Sequence, residues 1–363
     1  MSAISKSHIE TELKTYIDPY LEKDLVSANA VKKIEIKHNN VAIELQLGFP
    51  AKNYHADLRK NISACLKKID GIGSININIT TNIISHAALQ GVKPIKNVKN
   101  IIAIASGKGG VGKSTTAVNL ALALAKDGAN VGILDADIYG PSQPRMLGID
   151  NKPESKDGKT MEPLIGHGIQ AMSIGFLVDQ ETPMIWRGPM VTQALEQLLN
   201  DTQWKNLDYL IVDMPPGTGD IQLSLSQKVP VSGAVIVTTP QDIALLDARK
   251  GLKMFEKVNV PILGIVENMS LHICANCGHE EPIFGQGGGQ KMSTDYAVDL
   301  LGSLPLDLQI RQQVDGGNPS VVADPESRIT ALYLEIGRRI SAKLSLQAKD
   351  YSNKFPNIVI QNN

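Results

Sequence analysis

A glycine-rich segment with two lysines offers the clearest chemistry in the chain. Residues 106–115 read Ser-Gly-Lys-Gly-Gly-Val-Gly-Lys-Ser-Thr, in which Gly107, Gly112, Lys113 and Ser114 fit the phosphate-loop pattern G-x-x-x-x-G-K-[ST]. Glycines let backbone N–H groups approach phosphate oxygens closely, and a following helix adds its positive N-terminal end. Lys113 is therefore expected to contact the β- and γ-phosphates, and the Ser114 hydroxyl is expected to ligate Mg²⁺.

The sequence on either side of this loop predicts the strand and the helix that position it. Residues 101–105 form a short apolar run, which is typical of a buried parallel strand. Residues 111–126 are rich in Ala and Leu, as expected for a packed helix. We therefore predict a site for ATP and Mg²⁺. Its expected nucleotide-binding residues are Gly107, Lys108, Gly109, Gly110, Val111, Gly112, Lys113, Ser114 and Thr115.

Two carboxylate motifs follow other strand-like runs. Residues 134–137 read Leu-Asp-Ala-Asp, and residues 210–213 read Leu-Ile-Val-Asp before Met-Pro-Pro-Gly-Thr-Gly-Asp. An acidic residue at the end of a strand beside a phosphate loop can hold Mg²⁺, and we assign that role to Asp213. A second carboxylate near the γ-phosphate would orient or deprotonate the attacking water. The competing interpretation of each strand-end Asp is a helix N-cap.

Two cysteines three positions apart form a further candidate site. Cys274 and Cys277 have the C-x-x-C spacing that lets two thiolates bind one metal centre. A redox dithiol is disfavoured, because the pair does not open a helix in a thioredoxin-like unit. Zinc within one chain needs His272 and His279 as further ligands, whereas two pairs meeting across a dimer supply the four thiolates of a [4Fe–4S] cluster. The residues alone leave zinc and cluster both open, and unbound surface cysteines are a third interpretation.

Composition excludes several classes of protein. The 363 residues carry a formal net charge of −1 and 4% aromatic residues, which disfavours nucleic-acid binding by charge or by base stacking. Three cysteines cannot form a disulfide framework in a chain of this length. Residues 1–14 contain no apolar signal core, and no apolar run approaches the roughly 18 residues of a membrane span. We expect a cytoplasmic location, with neither a membrane nor a nucleic acid as partner.

Residues 1–88 are expected to form a separate small domain. Apolar residues alternate over residues 41–47 and again over residues 75–81, which predicts half-buried strands. Residues 54–69 carry apolar side chains at helical spacing, and residues 9–17 are compatible with a short helix. The result is an α+β unit with two or three strands.

Beyond a linker at residues 89–97, the chain alternates strand and helix signals over residues 98–345, followed by a tail at residues 346–363. Short apolar runs are separated by amphipathic stretches, a pattern that predicts a doubly wound, mostly parallel α/β sheet. The predicted strands are residues 131–134, 209–212, 234–238 and 262–266, and the predicted helices include 191–199, 243–255 and 329–344. Ligands of such sheets bind beyond the carboxyl ends of the strands, where the motifs fall.

The phosphate loop resembles the deviant loop of the MinD/ParA/nitrogenase-iron-protein class because of its additional lysine, Lys108. In that class the lysine reaches the phosphates of a partner subunit across a dimer interface. The resemblance implies a homodimer that encloses nucleotide, with Lys108 acting in the partner's site. It also implies that Asp137 is the carboxylate that orients or deprotonates the attacking water. A second cation would help to neutralise the phosphates during phosphoryl transfer.

The complete set of motifs resembles the Mrp/ApbC iron–sulfur carrier ATPases over about residues 98–345. The set consists of the phosphate loop, Asp-Ala-Asp-Ile-Tyr-Gly-Pro-Ser, Asp-Met-Pro-Pro-Gly-Thr-Gly-Asp, Val-Glu-Asn-Met-Ser and C-x-x-C. The resemblance implies an ATPase whose homodimer holds a labile [4Fe–4S] cluster on Cys274 and Cys277 of both subunits and delivers it to apoproteins. It further implies that Asn268 contacts the adenine base, although an Asn at a strand end can instead cap a turn.

The N-terminal part resembles the small iron–sulfur assembly domain that is often fused ahead of this ATPase, on Asp18-Pro19 and Glu22. Many members of that domain family carry a cysteine after a strand, where this chain has Phe-Pro-Ala-Lys-Asn at residues 49–53. Cys65 lies on the predicted helix instead and is interpreted as a core residue. We therefore assign no metal role to the small domain.

Two other functions remain as alternatives. A MinD/ParA-like positioning ATPase would need a membrane-binding tail or a DNA-binding surface, and the tail is only mildly basic without a clear amphipathic helix. A zinc-stapled interaction module would use the ATPase fold only as a scaffold. The metal content of the protein distinguishes these functions.

Overall fold

The computed structural model describes residues 4–86, 92–178, 188–274 and 276–348, so that residues 89–91 of the predicted linker and residues 349–363 of the predicted tail lie outside it. The helices are α1 (Lys6–Leu13), α2 (His55–Leu66), α3 (Lys113–Lys126), α4 (Gln143–Leu147), α5 (Gly188–Asn200), α6 (Asp220–Lys228), α7 (Asp242–Lys257), α8 (Gly288–Tyr296), α9 (Leu308–Asp315), α10 (Ser320–Ala323) and α11 (Arg328–Ser345). The strands are β1 (Val31–Lys37), β2 (Asn40–Leu47), β3 (Ile75–Thr81), β4 (Val98–Ala105), β5 (Val131–Asp135), β6 (Leu164–Gly166), β7 (Ile169–Ser173), β8 (Leu207–Asp213), β9 (Gly233–Thr238), β10 (Ile262–Glu267), β11 (His272–Ile273), β12 (Glu280–Glu281) and β13 (Leu300–Ser303).

An eight-stranded sheet with the order β13-β10-β9-β4-β8-β5-β7-β6 dominates the fold. All neighbouring strands pair in parallel except β6 and β7 at one edge. Every residue of β5, β8 and β9 is buried, as expected for parallel strands covered on both faces. Helix α3 packs on β4, β5 and β8, and α7 packs on β9 and β10. The predicted doubly wound α/β fold is confirmed.

The central position of β4 decides where the motifs meet. This strand lies between β8 and β9, and the register pairs Ile104 with Asp213 on β8. The carboxyl ends of β4, β5, β8, β9, β10 and β13 therefore share one edge of the sheet. We call this edge, with the loops and helix starts that leave it, the carboxyl edge.

A second, three-stranded sheet lies in the N-terminal part with the order β1-β2-β3. Strand β1 runs antiparallel to β2, and β3 runs parallel to it. With α1 and α2 the sheet encloses its own apolar core, which includes Ile43, Leu45 and Leu58. This is the small α+β unit expected from the sequence.

A buried ion pair joins the end of α3 to α11, and hydrogen bonds from two residues of the small unit meet it. Asp127 follows the last residue of α3, and Arg338 of α11 donates to its two carboxylate oxygens from Nε at 2.6 Å and from Nη2 at 3.2 Å. Asn53 donates to the same carboxylate from its backbone N at 3.1 Å and from Nδ2 at 2.9 Å. Arg338 also donates from Nη1 to the Tyr20 hydroxyl at 3.2 Å. Burial opposes the charge of Arg338, but these hydrogen bonds outweigh it and raise the pKa of the guanidinium.

No helix within the described ranges is both long and apolar enough to span a bilayer.

Candidate functional site

The phosphate loop joins β4 to α3 at the carboxyl edge, and its glycines are required by close neighbours. A Cβ atom at Gly107 would lie 2.1 Å from the carbonyl oxygen of Asp247 on α7. Gly110 and Gly112 both have a φ of 81°, a conformation that favours glycine. Close contact explains the glycine at position 107, and the positive φ explains the glycines at positions 110 and 112.

Asn268 supports the loop from the other side. It directly follows β10, is 7% exposed, and donates from Nδ2 to the carbonyl oxygen of Val111 at 2.9 Å. A Cβ at Gly112 would lie 2.1 Å from the same amide nitrogen. The amide thus stabilises the loop backbone in this structure, while a contact of Asn268 with adenine stays a prediction.

Lys113, Ser114 and Asp213 lie together, as the sequence predicted. Lys113 is 6% exposed and donates from Nζ to Oδ1 of the fully buried Asp213 and, at 3.2 Å, to Oγ of Ser114. Gly217 contacts the start of the phosphate loop, since its N–H donates to the Ser106 carbonyl at 3.0 Å. Thus the lysine, the hydroxyl and the carboxylate expected to bind phosphate and Mg²⁺ share one buried cluster.

A residue that the sequence analysis did not single out completes this cluster. Gln143, the first residue of α4, is 1% exposed. Its Nε2 donates to Oδ2 of Asp213 at 2.9 Å and to the carbonyl of Ser114 at 3.2 Å. A glutamine in that position matches no motif with a known role. Its place directly after the motif that begins with Asp135 was the only feature of the sequence that pointed to it.

The two carboxylates that follow β5 differ in their environment. Asp135 is fully buried, and its Oδ2 accepts from the backbone N of Ser142 at 3.0 Å, from that of Gln143 at 3.1 Å and from Oγ of Ser173 at 3.1 Å. Its pKa is raised to about 7 by burial and by the negative charge of Asp213. Asp135 is not the N-cap residue of α4, which is Ser142, but its carboxylate holds the start of that helix.

Asp137 is half-buried and less constrained. Its Oδ1 accepts from the backbone N of Gly140 at 3.3 Å. Burial raises its pKa, and the charges of Lys113 and Asp213 act on it in opposite directions. Asp137 is thus within electrostatic range of the phosphate-loop lysine, as a residue that acts on an attacking water must be.

Lys108 and several large apolar side chains are exposed at this edge. Lys108 forms part of the phosphate loop, and Tyr139 follows β5 with 59% of its surface exposed. Ile243 and Leu246, in the first turns of α7, are 65% and 54% exposed, and Leu308, the first residue of α9, is 60% exposed. Loops and helix starts of the carboxyl edge therefore carry exposed apolar side chains together with the Lys108 cation.

The cysteine pair lies on a hairpin that leaves the carboxyl edge after β10. The hairpin consists of β11 and β12, and the backbone N of Cys274 donates to the carbonyl of His279 at 2.9 Å. Cys277 is exposed, Cys274 is partly exposed, and both are free. Backbone N–H groups of Cys277 and Asn276, with the Cys277 thiol, lower the pKa of Cys274. A lowered pKa favours the thiolate, which is the form that binds metal.

The described residues do not assemble a zinc site within one chain. Among them, no group of three or more His, Cys, Asp or Glu side chains is arranged to hold a metal ion. His272 turns Nδ1 toward the carbonyl oxygen of Leu306 at 3.3 Å, and His279 is exposed. Cys65, by contrast, is buried on α2 and donates to the carbonyl of Glu12 at 3.2 Å, as expected for a core residue.

Models of two known protein families match the chain. Residues 97–341 match the model of a ParA family described as NUBPL iron-transfer P-loop NTPase. The chain belongs to the NUBPL iron-transfer P-loop NTPase family. Residues 6–79 match a second model, described as an iron-sulfur cluster assembly protein. The resemblance proposed from the motifs is confirmed, including the weaker one of the N-terminal part.

Individual proteins also resemble the chain over most of its length. The iron-sulfur cluster carrier protein of Salmonella typhimurium is 52% identical over 93% of this chain and 92% of its own. The iron-sulfur cluster transfer protein NUBPL of Mus musculus is 50% identical over 77% of this chain and 88% of its own. A nucleotide-binding protein from Archaeoglobus fulgidus, solved in complex with ADP, is 37% identical with a TM-score of 0.56, over 64% of this chain and 90% of its own.

Proposed function

We propose that this protein is an ATP-hydrolysing carrier of iron–sulfur clusters. A homodimer holds one labile [4Fe–4S] cluster and transfers it to apo iron–sulfur proteins. The observation that carries the proposal is that a two-cysteine hairpin and a phosphate loop leave the same edge of one sheet. The relatives that are named iron-sulfur cluster carrier or transfer proteins support it.

The carboxyl edge suits a nucleotide with Mg²⁺. Oγ of Ser142 and Oε1 of Gln143 are buried with no hydrogen-bond partner among the described residues, as expected where a hydrated ligand binds. Mg²⁺ prefers oxygen ligands, and Ser114 and Asp213 hold it in this proposal. Bound Mg²⁺ neutralises phosphate charge during phosphoryl transfer.

Residues of the phosphate loop and of its neighbouring elements have separate roles in binding and hydrolysing ATP. Backbone N–H groups of residues 107–115 bind the phosphates, and Lys113 leaves Asp213 to contact the β- and γ-phosphates. Asp137 orients or deprotonates the attacking water. Asn268 contacts the adenine base while it supports the loop.

Two arguments support a homodimer as the active form. Each chain offers two cysteine ligands, whereas a [4Fe–4S] cluster takes four, and an isologous interface places equal residues opposite each other. The exposed apolar side chains at the same edge of the sheet as Lys108 provide a surface that a second copy can cover. Lys108 then neutralises phosphates in the partner's site.

Exposure of the cysteine pair suits transfer of the cluster as cargo. Incoming thiolates of an apoprotein can reach iron that is held on Cys274 and Cys277 and replace them one by one. Residues 215–220 couple hydrolysis to this exchange, since Gly217 contacts the phosphate loop. The small domain over residues 1–88 and the ATPase over residues 98–345 act without nucleic acid or membrane.

Metal analysis tests the proposal. After anaerobic reconstitution we expect about one [4Fe–4S] cluster per dimer in the native protein. Cys274→Ala and Cys277→Ala should each lose the cluster but retain ATP binding, and Cys65→Ala is the matched control that should retain both. Iron, sulfide and zinc are measured per dimer together with the visible absorption spectrum. Stoichiometric zinc without iron in the native protein would show that the zinc-stapled module is the correct function.

A further inference from the structure

We infer that Gln143 is a positioning residue for the Mg²⁺ site and joins the loop that carries Asp137 to the metal ligands. The inference rests on the proposed ATPase function and deepens it, because it assigns a role to a residue outside the recognised motifs. Its support is a side-chain amide that bridges two elements of the nucleotide site.

The bridge is formed by the NH₂ end of the amide. Nε2 of Gln143 lies 2.9 Å from Oδ2 of Asp213, at the end of β8, and 3.2 Å from the carbonyl oxygen of Ser114, in the first turn of α3. A carbonyl oxygen accepts but cannot donate, so the NH₂ group rather than Oε1 must face Ser114. One side chain thus fixes the separation between the expected Mg²⁺-binding hydroxyl and carboxylate.

The backbone of Gln143 is held as firmly as its side chain. Its N–H and that of Ser142 both donate to Oδ2 of Asp135, which also accepts from Ser173. All of these groups are buried or partly buried, so the hydrogen bonds are shielded from competition by water. Asp135 therefore fixes the start of α4, and with it the Gln143 amide that contacts Asp213.

The arrangement also gives the two oxygens of Asp213 different partners. Oδ1 pairs with Lys113, and Oδ2 pairs with Gln143. When Lys113 moves to the phosphates, Oδ1 is released while Oδ2 stays held. Gln143 would thereby hold the Asp213 carboxylate by Oδ2 and leave Oδ1 available to bind Mg²⁺, as partners of a metal ligand commonly do.

The carbonyl end of the Gln143 amide also supports a role at the Mg²⁺ site. Oε1 of Gln143 is buried and has no hydrogen-bond partner among the described residues. A buried acceptor in this state is costly unless a ligand or water donates to it. A water molecule of the Mg²⁺ shell is the donor that the proposed site supplies.

Replacement of Gln143 separates positioning from simple structural support. Gln143→Leu removes both hydrogen bonds with little change in volume, and Gln143→Asn keeps the amide but is one methylene too short to bridge both partners. Gln170→Leu is the matched control. Gln170 lies near the start of β7, away from the nucleotide site, and its amide also makes two hydrogen bonds, both with the backbone of Lys205. Melting temperature is measured for each variant.

The readout is the Mg²⁺ concentration that gives half-maximal binding of a fluorescent ATP analogue, compared with binding of the same analogue in EDTA. We expect Gln143→Leu to raise that concentration about 10- to 100-fold, the usual effect of losing a partner of a metal ligand. Gln143→Asn should shift it in the same direction by a smaller factor, and Gln170→Leu should leave it unchanged. Binding in EDTA should stay within about twofold of the native protein, since a positioning role acts only through the metal.

Three outcomes distinguish the ideas. A native protein without Mg²⁺-dependent nucleotide binding would overturn the proposed function and this inference with it. A native protein with that dependence, but the same half-maximal Mg²⁺ concentration in folded Gln143→Leu or Gln143→Asn, would overturn the inference alone. Equal losses of binding with Mg²⁺ and in EDTA would show that Gln143 only supports the fold.

Discussion

Replacing Arg338 with Leu tests the buried pair that joins α11 to the end of α3 beside the small domain. In the native structure the Arg338 side chain is 12% exposed and that of Asp127 is 2% exposed, and the two form a bidentate pair. The substitution leaves a buried carboxylate without its cation. Removing one partner of a buried pair typically costs about 3–5 kcal/mol.

The other contacts of Asp127 and Arg338 decide where in this range the loss of stability falls. Asn53 still donates two hydrogen bonds to Asp127, which compensates part of the stranded charge. The loss of the Arg338 guanidinium from the Tyr20 ring, now 5.6 Å from its centroid, adds a smaller penalty. We therefore expect a destabilisation of about 3 kcal/mol, at the low end of the range for buried pairs.

The adjacent arginine provides a matched control. Arg339 is 38% exposed and pairs with Glu335 one helical turn away, an arrangement typically worth about 0.3–0.5 kcal/mol. Arg339→Leu changes the same residue type on the same helix, so it reports the cost of the substitution without the buried pair. The difference between the variants measures the contribution of the Asp127 contact.

Differential scanning calorimetry and urea unfolding of the full chain provide the assay. Because both partners of the pair pack within the large unit, we expect Arg338→Leu to unfold at a lower temperature and a lower urea concentration, whereas Arg339→Leu should unfold like the native protein. In Asp127→Asn/Arg338→Leu no charge is stranded, so this double variant should be no less stable than Arg338→Leu alone. Equal unfolding of Arg338→Leu and Arg339→Leu would refute the reasoning.

Two further predictions concern the nucleotide site. Lys113→Ala should abolish nucleotide binding or turnover, because it removes the charge that faces the β- and γ-phosphates; a folded variant with native ATP affinity and hydrolysis would contradict this role. Asp137→Asn should bind ATP but hydrolyse it slowly, and Lys108→Ala should also lose turnover. If Lys108 acts in the partner's site, mixing these two variants should restore one competent site per dimer, and demonstrated mixed dimers without recovered hydrolysis would argue against the crossed arrangement.

Much of the fold could be predicted from the sequence because its signals are local. The strand before the phosphate loop and the helix after it can be recognised from the residue types within each segment. Strands β8 and β9 are largely continuous apolar runs. Strand β1 was not predicted, because four of its seven residues in Val-Lys-Lys-Ile-Glu-Ile-Lys are charged and none is fully buried. Its identity depends on pairing with β2, which no local pattern contains.

Only those site residues that belong to a known motif could be predicted from the sequence. Lys113 and Asp213 match patterns with an assigned chemistry, and the structure brings them together. Gln143 matches none, and it joins the site through contacts 70 residues distant in sequence. The pair of Asp127 and Arg338 spans 211 residues, so only the packing of α11 against α3 brings these side chains together.

In the proposed homodimer, the close approach of α7 to the phosphate loop would link nucleotide binding to association of the two chains. The carbonyl of Asp247 leaves no room for a side chain at position 107, and Ile243 and Leu246 emerge from the same stretch of helix toward solvent. When a second copy of the chain covers those two side chains, association and nucleotide binding act on one helix, and any coupling between them is reciprocal. Nucleotide affinity then depends on protein concentration, so that dilute and concentrated solutions of the same protein bind nucleotide with different apparent dissociation constants.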